Sequence, residues 1–143
     1  ESQSGEKSQR VIDKGGNNYG YQITFGNAGD IDPYKPLGVV GGTFLTPQSD
    51  IHSFGEWYHV VLVYDGTTAS LYSNGVLVAS ESTSMSYDGR DLYIGQRDDG
   101  AKHYDGLVDD VRIYDRALTQ DEIFQLYRYG TRGRDMRKQL VNY

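Results

Sequence analysis

The chain has 143 residues, the length of one domain that can bury a core without covalent crosslinks. It contains no cysteine, which excludes a disulfide framework and a thiolate metal site. The net charge of −6 divides into −10 over residues 1–127 and +4 over residues 128–143, and such an acidic body argues against nucleic acid as the main partner.

Eighteen glycines and 13 tyrosines predict many turns and many half-exposed strand positions, which are typical of an all-β sandwich. No apolar run is long enough to span a membrane. Residues 1–10 are polar and lack periodicity, so we expect a mobile terminus. Residues 11–14 and 19–25 then predict two strands around a tight turn at residues 15–18.

The middle of the chain predicts a series of further strands. Residues 37–44 form a glycine-rich strand candidate after a loop over residues 27–36. Residues 57–64 are mostly apolar and predict a central strand, with Trp57 in the core.

A hairpin signal and one further strand precede the C-terminal region. Asn74-Gly75 lies between strand candidates at residues 68–73 and 76–80, and both central residues of a type I′ turn need positive φ. The strand at residues 91–96 comes next.

The region from Gly106 to Tyr127 predicts a strand, a turn and a capped helix. Residues 107–114 alternate with the period of a half-buried strand, and Asp109 shares the apolar face. A carboxylate on that face must be hydrogen-bonded, paired or bound to a cation. The alternative is a closing element without chemistry.

The helix that follows has a start signal and a stop signal. Thr119 and Glu122 form a capping box, and Gly130 is the predicted end of the helix. Three apolar side chains at helical spacing form its predicted buried stripe: Ile123, Leu126 and Tyr127.

These residues also carry a family resemblance. From Gly106 onward the sequence is Gly-Leu-Val-Asp-Asp-Val-Arg-Ile-Tyr-Asp-Arg-Ala-Leu-Thr-x-x-Glu-Ile, and Gly-x-Trp-x-x-Val and Leu-x-Ile-Gly begin at Gly55 and Leu92. Together they resemble the laminin-G-like and pentraxin-like jelly-roll domains of the concanavalin A-like lectin/glucanase superfamily. The resemblance implies an all-β antiparallel jelly-roll β-sandwich with one short C-terminal helix.

The resemblance covers about residues 11–127, and composition distinguishes the segments on either side. We expect a polar segment at residues 1–10, the jelly-roll domain at residues 11–129 and a basic tail at residues 130–143, which is either a docking segment or solvated. An intact domain of this family has several strands before residue 11, and the first of them lies beside the closing motif. Those strands are absent from this sequence.

Calcium is the metal that the sequence favours, because acidic loops between strands supply the oxygen ligands that it prefers. Laminin-G-like domains hold a structural calcium with an aspartate of the closing strand, and Asp109 matches that position. A second candidate site comprises three carboxylates of one loop, for which solvation is the alternative: Asp98, Asp99 and Asp105.

Carbohydrate binding needs aromatic rings on which sugars can stack. Six tyrosines are candidates by their loop or strand-edge positions: Tyr19, Tyr21, Tyr34, Tyr87, Tyr93 and Tyr104. Catalysis is not expected. The superfamily's glucanases use two carboxylates on one strand face, whereas the adjacent Asp109 and Asp110 point to opposite faces of a regular strand.

The sequence therefore predicts a non-catalytic recognition or adhesion module that binds a glycan or a surface protein, stabilised by calcium, outside the cell or on a cell or virion surface. The alternative is a structural or assembly protein. In that case a second chain, or another copy in a homo-oligomer, supplies the missing strands, because a jelly roll without them exposes unpaired sheet edges and core.

Overall fold

A computed structural model gives the fold and describes residues 9–15, 19–26, 35–48, 52–53 and 55–141, with side chains as far as residue 132. Two antiparallel sheets and a C-terminal helix make up these residues, as predicted. The larger sheet has the order β4-β3-β2-β1-β8 and the smaller one the order β5-β6-β7. The larger sheet comprises β1 (Gln9–Lys14), β2 (Tyr21–Phe25), β3 (Pro36–Val40), β4 (Thr43–Leu45) and β8 (Leu92–Ile94). The smaller one comprises β5 (Val60–Tyr64), β6 (Thr68–Ser73) and β7 (Val76–Ser82), and the helix is α1 (Gln120–Val141).

Pairs of left-handed residues make two of the hairpin turns. Asn74 (φ 50°) and Gly75 (φ 80°) join β6 to β7, as the Asn-Gly signal predicted. Gly41 (φ 55°) and Gly42 (φ 86°) join β3 to β4 in the same way. Two consecutive positive φ values belong to the type I′ turn, which matches the twist of antiparallel strands. The prediction of one strand over residues 37–44 is therefore wrong, because the Gly-Gly turn divides it in two.

The core lies where β3 and β4 face β6. Four fully buried side chains form its centre: Val40, Leu45, Ala69 and Leu71. Gly38 allows the sheets to approach here, since a Cβ at this position would lie 2.9 Å from Leu62 Cδ1. On the same side the hydroxyls of Thr43 and Thr83 are 2.8 Å apart. The sandwich is thus closed along β3 and β4.

Helix α1 begins with the predicted capping box. The Thr119 hydroxyl accepts a hydrogen bond from the Glu122 N–H at 3.3 Å, and the Glu122 carboxylate accepts one from the Thr119 N–H at 2.8 Å. Ile123 is fully buried, and Gln120 Nε2 donates to the Gly75 carbonyl at 2.7 Å. The cap and this docking bond place the first turns of α1 against the β6–β7 turn.

The helix does not end at Gly130, where we predicted its stop, but continues to Val141. A glycine ends a helix by adopting positive φ, and Gly130 is not among the residues that do so. A glycine inside a helix lowers the stability of the helix by only about 1 kcal/mol relative to alanine. The helical turns on either side offset this cost. The predicted boundary between residues 129 and 130 therefore falls inside α1.

Two predictions about strands are wrong for one reason. Strand β5 was predicted to be central, but within the described residues it pairs only with β6 and is an edge strand. Residues 107–114 were predicted to form a strand, and they form none. A central β5 and a strand at residues 107–114 would each need a neighbouring strand to hydrogen-bond with their outer backbone groups. The described part of the chain supplies no such strand. Trp57, predicted to be in the core, is 44% exposed beside β5.

Candidate functional site

An open cleft separates the two sheets on the side opposite the closed core. Its volume is about 1150 Å³, above the range of typical small-molecule pockets. Aliphatic side chains of β1 and β2 line the larger sheet's wall: Val11, Ile12 and Ile23. All five residues of β5 line the opposite wall. The cleft is thus the continuation of the core space, left open to solvent.

Residues 107–114 form the third wall of the cleft. Their apolar side chains are exposed, with Leu107 76% and Ile113 58% accessible to solvent. Within the described part of the chain, no backbone hydrogen bond joins these residues to another element. Asp110 has a left-handed backbone (φ 54°), which breaks the alternation on which the predicted strand faces depended. This wall therefore presents unpaired backbone and apolar surface together.

Three of the six candidate tyrosines line the cleft: Tyr21, Tyr87 and Tyr104. Burial raises the pKa of Tyr21, and the nearby Tyr87 raises it further. Burial also raises the pKa of Tyr104, whose ring lies 5.8 Å from that of Phe25. Tyr19 and Tyr93 are not among the lining residues, and Tyr34 lies outside the described residues.

The cleft is also lined by aromatic side chains that were not among the predicted ligand-binding residues: Trp57, Tyr58, Tyr64, Tyr114 and Tyr127. Most of them belong to residues 57–64, which we predicted to be a central strand, or to residues 107–114, which we predicted to be a half-buried strand. A strand pattern tells which side chains share a face, but it does not tell whether another strand covers that face. The pattern in the sequence that could have indicated these lining residues is the aromatic content of residues 57–64.

Carboxylates dominate the charge of the cleft. Two arginines line it, and each is paired: Arg112 with Asp110 at 2.9 Å and Arg116 with Glu122 at 2.7 Å. Four lining carboxylates have no ion pair within the described residues: Glu56, Asp105, Asp109 and Asp115. The cleft therefore combines an apolar interior with a negative border.

Residues 2–124 match a laminin-G-type family model described as the concanavalin A-like lectin/glucanases superfamily. The chain belongs to this superfamily. A crystal structure at 2.1 Å of an S-layer domain-containing protein (residues 221–444) from Clostridium thermocellum ATCC 27405 is also similar. The two share 27% sequence identity with a TM-score of 0.47 over 84% of this chain, and the match spans 63% of the S-layer chain.

In this laminin-G-like chain two carboxylates of the second candidate metal site, Asp98 and Asp99, are held by arginines. Asp98 pairs with Arg90 at 2.9 Å. Asp99 accepts from Arg97 and from the Ala101 N–H at 2.9 Å, and these bonds hold its pKa well below the usual range.

The other two predicted ligands, Asp105 and Asp109, are exposed beside the cleft. Asp109 was predicted to point at the core, but no strand forms there. Within the described residues no group of three or more His, Asp or Glu side chains could hold a metal ion. Calcium binding stays a prediction.

The superfamily includes glucanases, whose chemistry needs two cooperating carboxylates. In this chain Asp110 accepts two hydrogen bonds from Arg112, whereas Asp109 is exposed beside the cleft. Within the described residues, no helix is long and apolar enough to cross a membrane. The superfamily and the cleft together are consistent with a binding or structural module.

Proposed function

We propose that the chain is a non-catalytic surface module that binds an extended segment of a partner protein in the inter-sheet cleft. The observation that carries this proposal is that, among the residues the structure describes, the outer edge of β5 and the backbone of residues 107–114 have no partner strand and line the same apolar space. An extended segment between them would gain backbone hydrogen bonds and bury apolar side chains, which is the mode of strand addition.

The exposed apolar surface also supports this proposal. Contiguous apolar patches that contain several large side chains mark interaction sites on soluble proteins. The wall at residues 107–114 alone exposes Leu107, Val111 and Ile113. Burying side chains of this size stabilises a complex by about 1.5–3 kcal/mol each, from which the cost of ordering the partner is subtracted.

The test is binding of a fluorescent peptide in which valine and threonine alternate. We expect saturable binding that raises the melting temperature, because a ligand of the folded state alone stabilises that state. Ile113→Glu should abolish binding without unfolding the chain, since Ile113 is already 58% exposed. Val76→Glu is the matched control, at a residue 61% exposed and outside the cleft. Equal loss of binding in both variants, or no binding by the parent chain, would contradict the proposal.

A glycan is the second candidate ligand, and the tyrosines of the cleft favour it. Tyr87 is 65% exposed and close enough to Tyr21 to influence its ionisation. Exposed rings of this kind stack against the apolar faces of sugars. The unpaired backbone of residues 107–114, however, is explained by a peptide and not by a sugar. The peptide is therefore the ligand that the geometry supports best.

A further inference from the structure

Asn74 is held in the β6–β7 turn by two hydrogen bonds to His59. Its backbone N–H donates to the His59 carbonyl at 2.8 Å, and its side-chain Oδ1 accepts from the His59 N–H at 2.9 Å. The φ values of 50° at Asn74 and 80° at Gly75 belong to the type I′ turn. The side-chain amide of Asn74 is therefore fixed in position beside the peptide bond that joins it to Gly75.

Helix α1 holds the second residue of the same turn. Gly75 is buried, and its carbonyl accepts a hydrogen bond from Gln120 Nε2 at 2.7 Å. A Cβ on Gly75 would lie 3.0 Å from Phe124 and 3.3 Å from Tyr127, so the helix packs directly on the Gly75 Cα. Because close-packed neighbours leave little room for movement, the peptide between Asn74 and Gly75 cannot rotate while α1 is docked.

Asn74 is the only asparagine of the chain that a glycine follows, and this pair reacts readily with itself. When the Gly75 N–H loses its proton to hydroxide, the nitrogen attacks the Asn74 Cγ. The bond between Cγ and the side-chain nitrogen breaks, and that nitrogen takes a proton from water and leaves as ammonia. The product is a five-membered succinimide ring. Glycine favours this ring closure because it has no side chain to hinder the nitrogen and has a wide range of backbone conformations.

Hydrolysis of the succinimide by water gives two products. Water that opens the ring at Cγ leaves aspartate, and water that opens it at the backbone carbonyl leaves isoaspartate, in which the chain is longer by one methylene group. Aspartate keeps an oxygen that can accept from the His59 N–H, and it suits the same turn. Isoaspartate adds an atom to the backbone of a two-residue turn whose dihedral angles are closely defined. This product therefore loses the turn against which α1 packs.

Ring closure requires a conformation that the docked turn does not allow. The Gly75 nitrogen must turn toward the side chain of Asn74, and this rotation displaces the Gly75 carbonyl. The α1 residues that contact Gly75 oppose the displacement, and the His59 N–H holds the Asn74 amide. We infer that Asn74 is a self-modification site that the docking of α1 keeps unreactive, and that its conversion to isoaspartate prevents α1 from docking again. The inference does not depend on the cleft or on its ligand.

The test measures conversion of Asn74 in the intact chain, incubated in mildly alkaline buffer, which favours loss of the Gly75 amide proton. Cleavage after Glu56 and Glu81 gives a peptide of residues 57–81 with no other asparagine and no glutamine, so a change of mass from amide to carboxyl identifies Asn74. We expect the folded chain to react at least about tenfold more slowly than the same chain unfolded in urea, because only the undocked fraction reacts. Equal rates would overturn the inference.

Two substitutions in α1 show whether the helix controls the reaction. Gln120→Ala removes the hydrogen bond to Gly75 and should raise the rate about fivefold, since its loss increases the undocked fraction. Gln125→Ala is the matched control, at an exposed residue of the same helix that has no hydrogen bond within the described residues, and it should leave the rate unchanged. Acceleration by both substitutions, or by neither, would contradict control by α1.

The isoaspartate chain, separated from the aspartate chain by chromatography, tests whether α1 is released. Its amides at residues 120–127 should lose their slow hydrogen exchange, whereas Asn74→Asp should retain it, because aspartate preserves the length of the turn. Slow exchange in both chains would overturn the claim that the modified turn cannot dock α1. Fast exchange in both would assign the effect to the new carboxylate and not to the lengthened backbone, which also contradicts the inference.

Discussion

At the scale of single residues, Gly75 connects the hairpin turn to the helix. Its φ of 80° is one that side chains other than glycine rarely adopt, and a Cβ there would lie 3.0 Å from Phe124 and 3.3 Å from Tyr127. Gly75→Ala should therefore lower the free energy of unfolding by about 2 kcal/mol, through backbone strain and displacement of α1. Chemical denaturation measures this loss.

Gly89→Ala separates the two causes. Gly89 has nearly the same φ of 78°, but an added Cβ would meet nothing within 4 Å. This variant should lose only about 1 kcal/mol, the cost of the left-handed backbone. Equal losses in the two variants would show that α1 does not pack against the turn as described.

At the scale of elements, the start of α1 should respond to pH through Glu122. Hydrogen bonds from the Arg116 guanidinium, and then from the Thr119 N–H, lower the pKa of Glu122 from 4.5 to about 2. A carboxyl with a depressed pKa in the folded state contributes stability above its unfolded pKa, and this contribution is lost as the pH falls through the folded value. The melting temperature should therefore depend less on pH between about 4.5 and 2 in Glu122→Gln than in the parent chain.

The matched control for this pH effect is Asp121→Asn. Asp121 lies in the same first turn of α1 but takes no part in the Arg116–Glu122–Thr119 contacts. Circular dichroism at 222 nm follows the melting of each variant across the pH range. A Glu122→Gln variant with the same pH profile as Asp121→Asn would mean that the capping network does not form in solution.

The elements that the sequence predicted well are those with local causes. The Asn74-Gly75 turn and the Thr119–Glu122 cap each depend on a few consecutive residues, so their patterns sufficed. Residues 107–114 carry an equally clear pattern, but a strand forms only beside another strand. The alternation of apolar residues within one segment does not show whether a neighbouring strand is present. For the same reason the sequence indicated six candidate tyrosines but did not predict the cleft that three of them line.

At the scale of the whole molecule, stability is distributed unevenly between the closed and open sides of the sandwich. The buried centre links β3 and β4 to β6, whereas β5 has one free edge and residues 107–114 lack backbone partners within the described part of the chain. Amide hydrogen exchange reports this distribution, because a backbone N–H exchanges slowly only when it is hydrogen-bonded and its element opens rarely.

We therefore expect hydrogen exchange, measured by NMR, to alternate along β5. The amides of Val61 and Val63 face β6 and should exchange at least about tenfold more slowly than those of Val60 and Leu62, which face the open edge. Strand β6 is the internal control, because it has a neighbour on both sides and consecutive amides in it should all be protected. Uniform protection across β5, together with protection of residues 107–114, would show that the cleft is already filled in solution. The open edge would then be absent from the free chain, and any peptide would have to displace the segment that fills it.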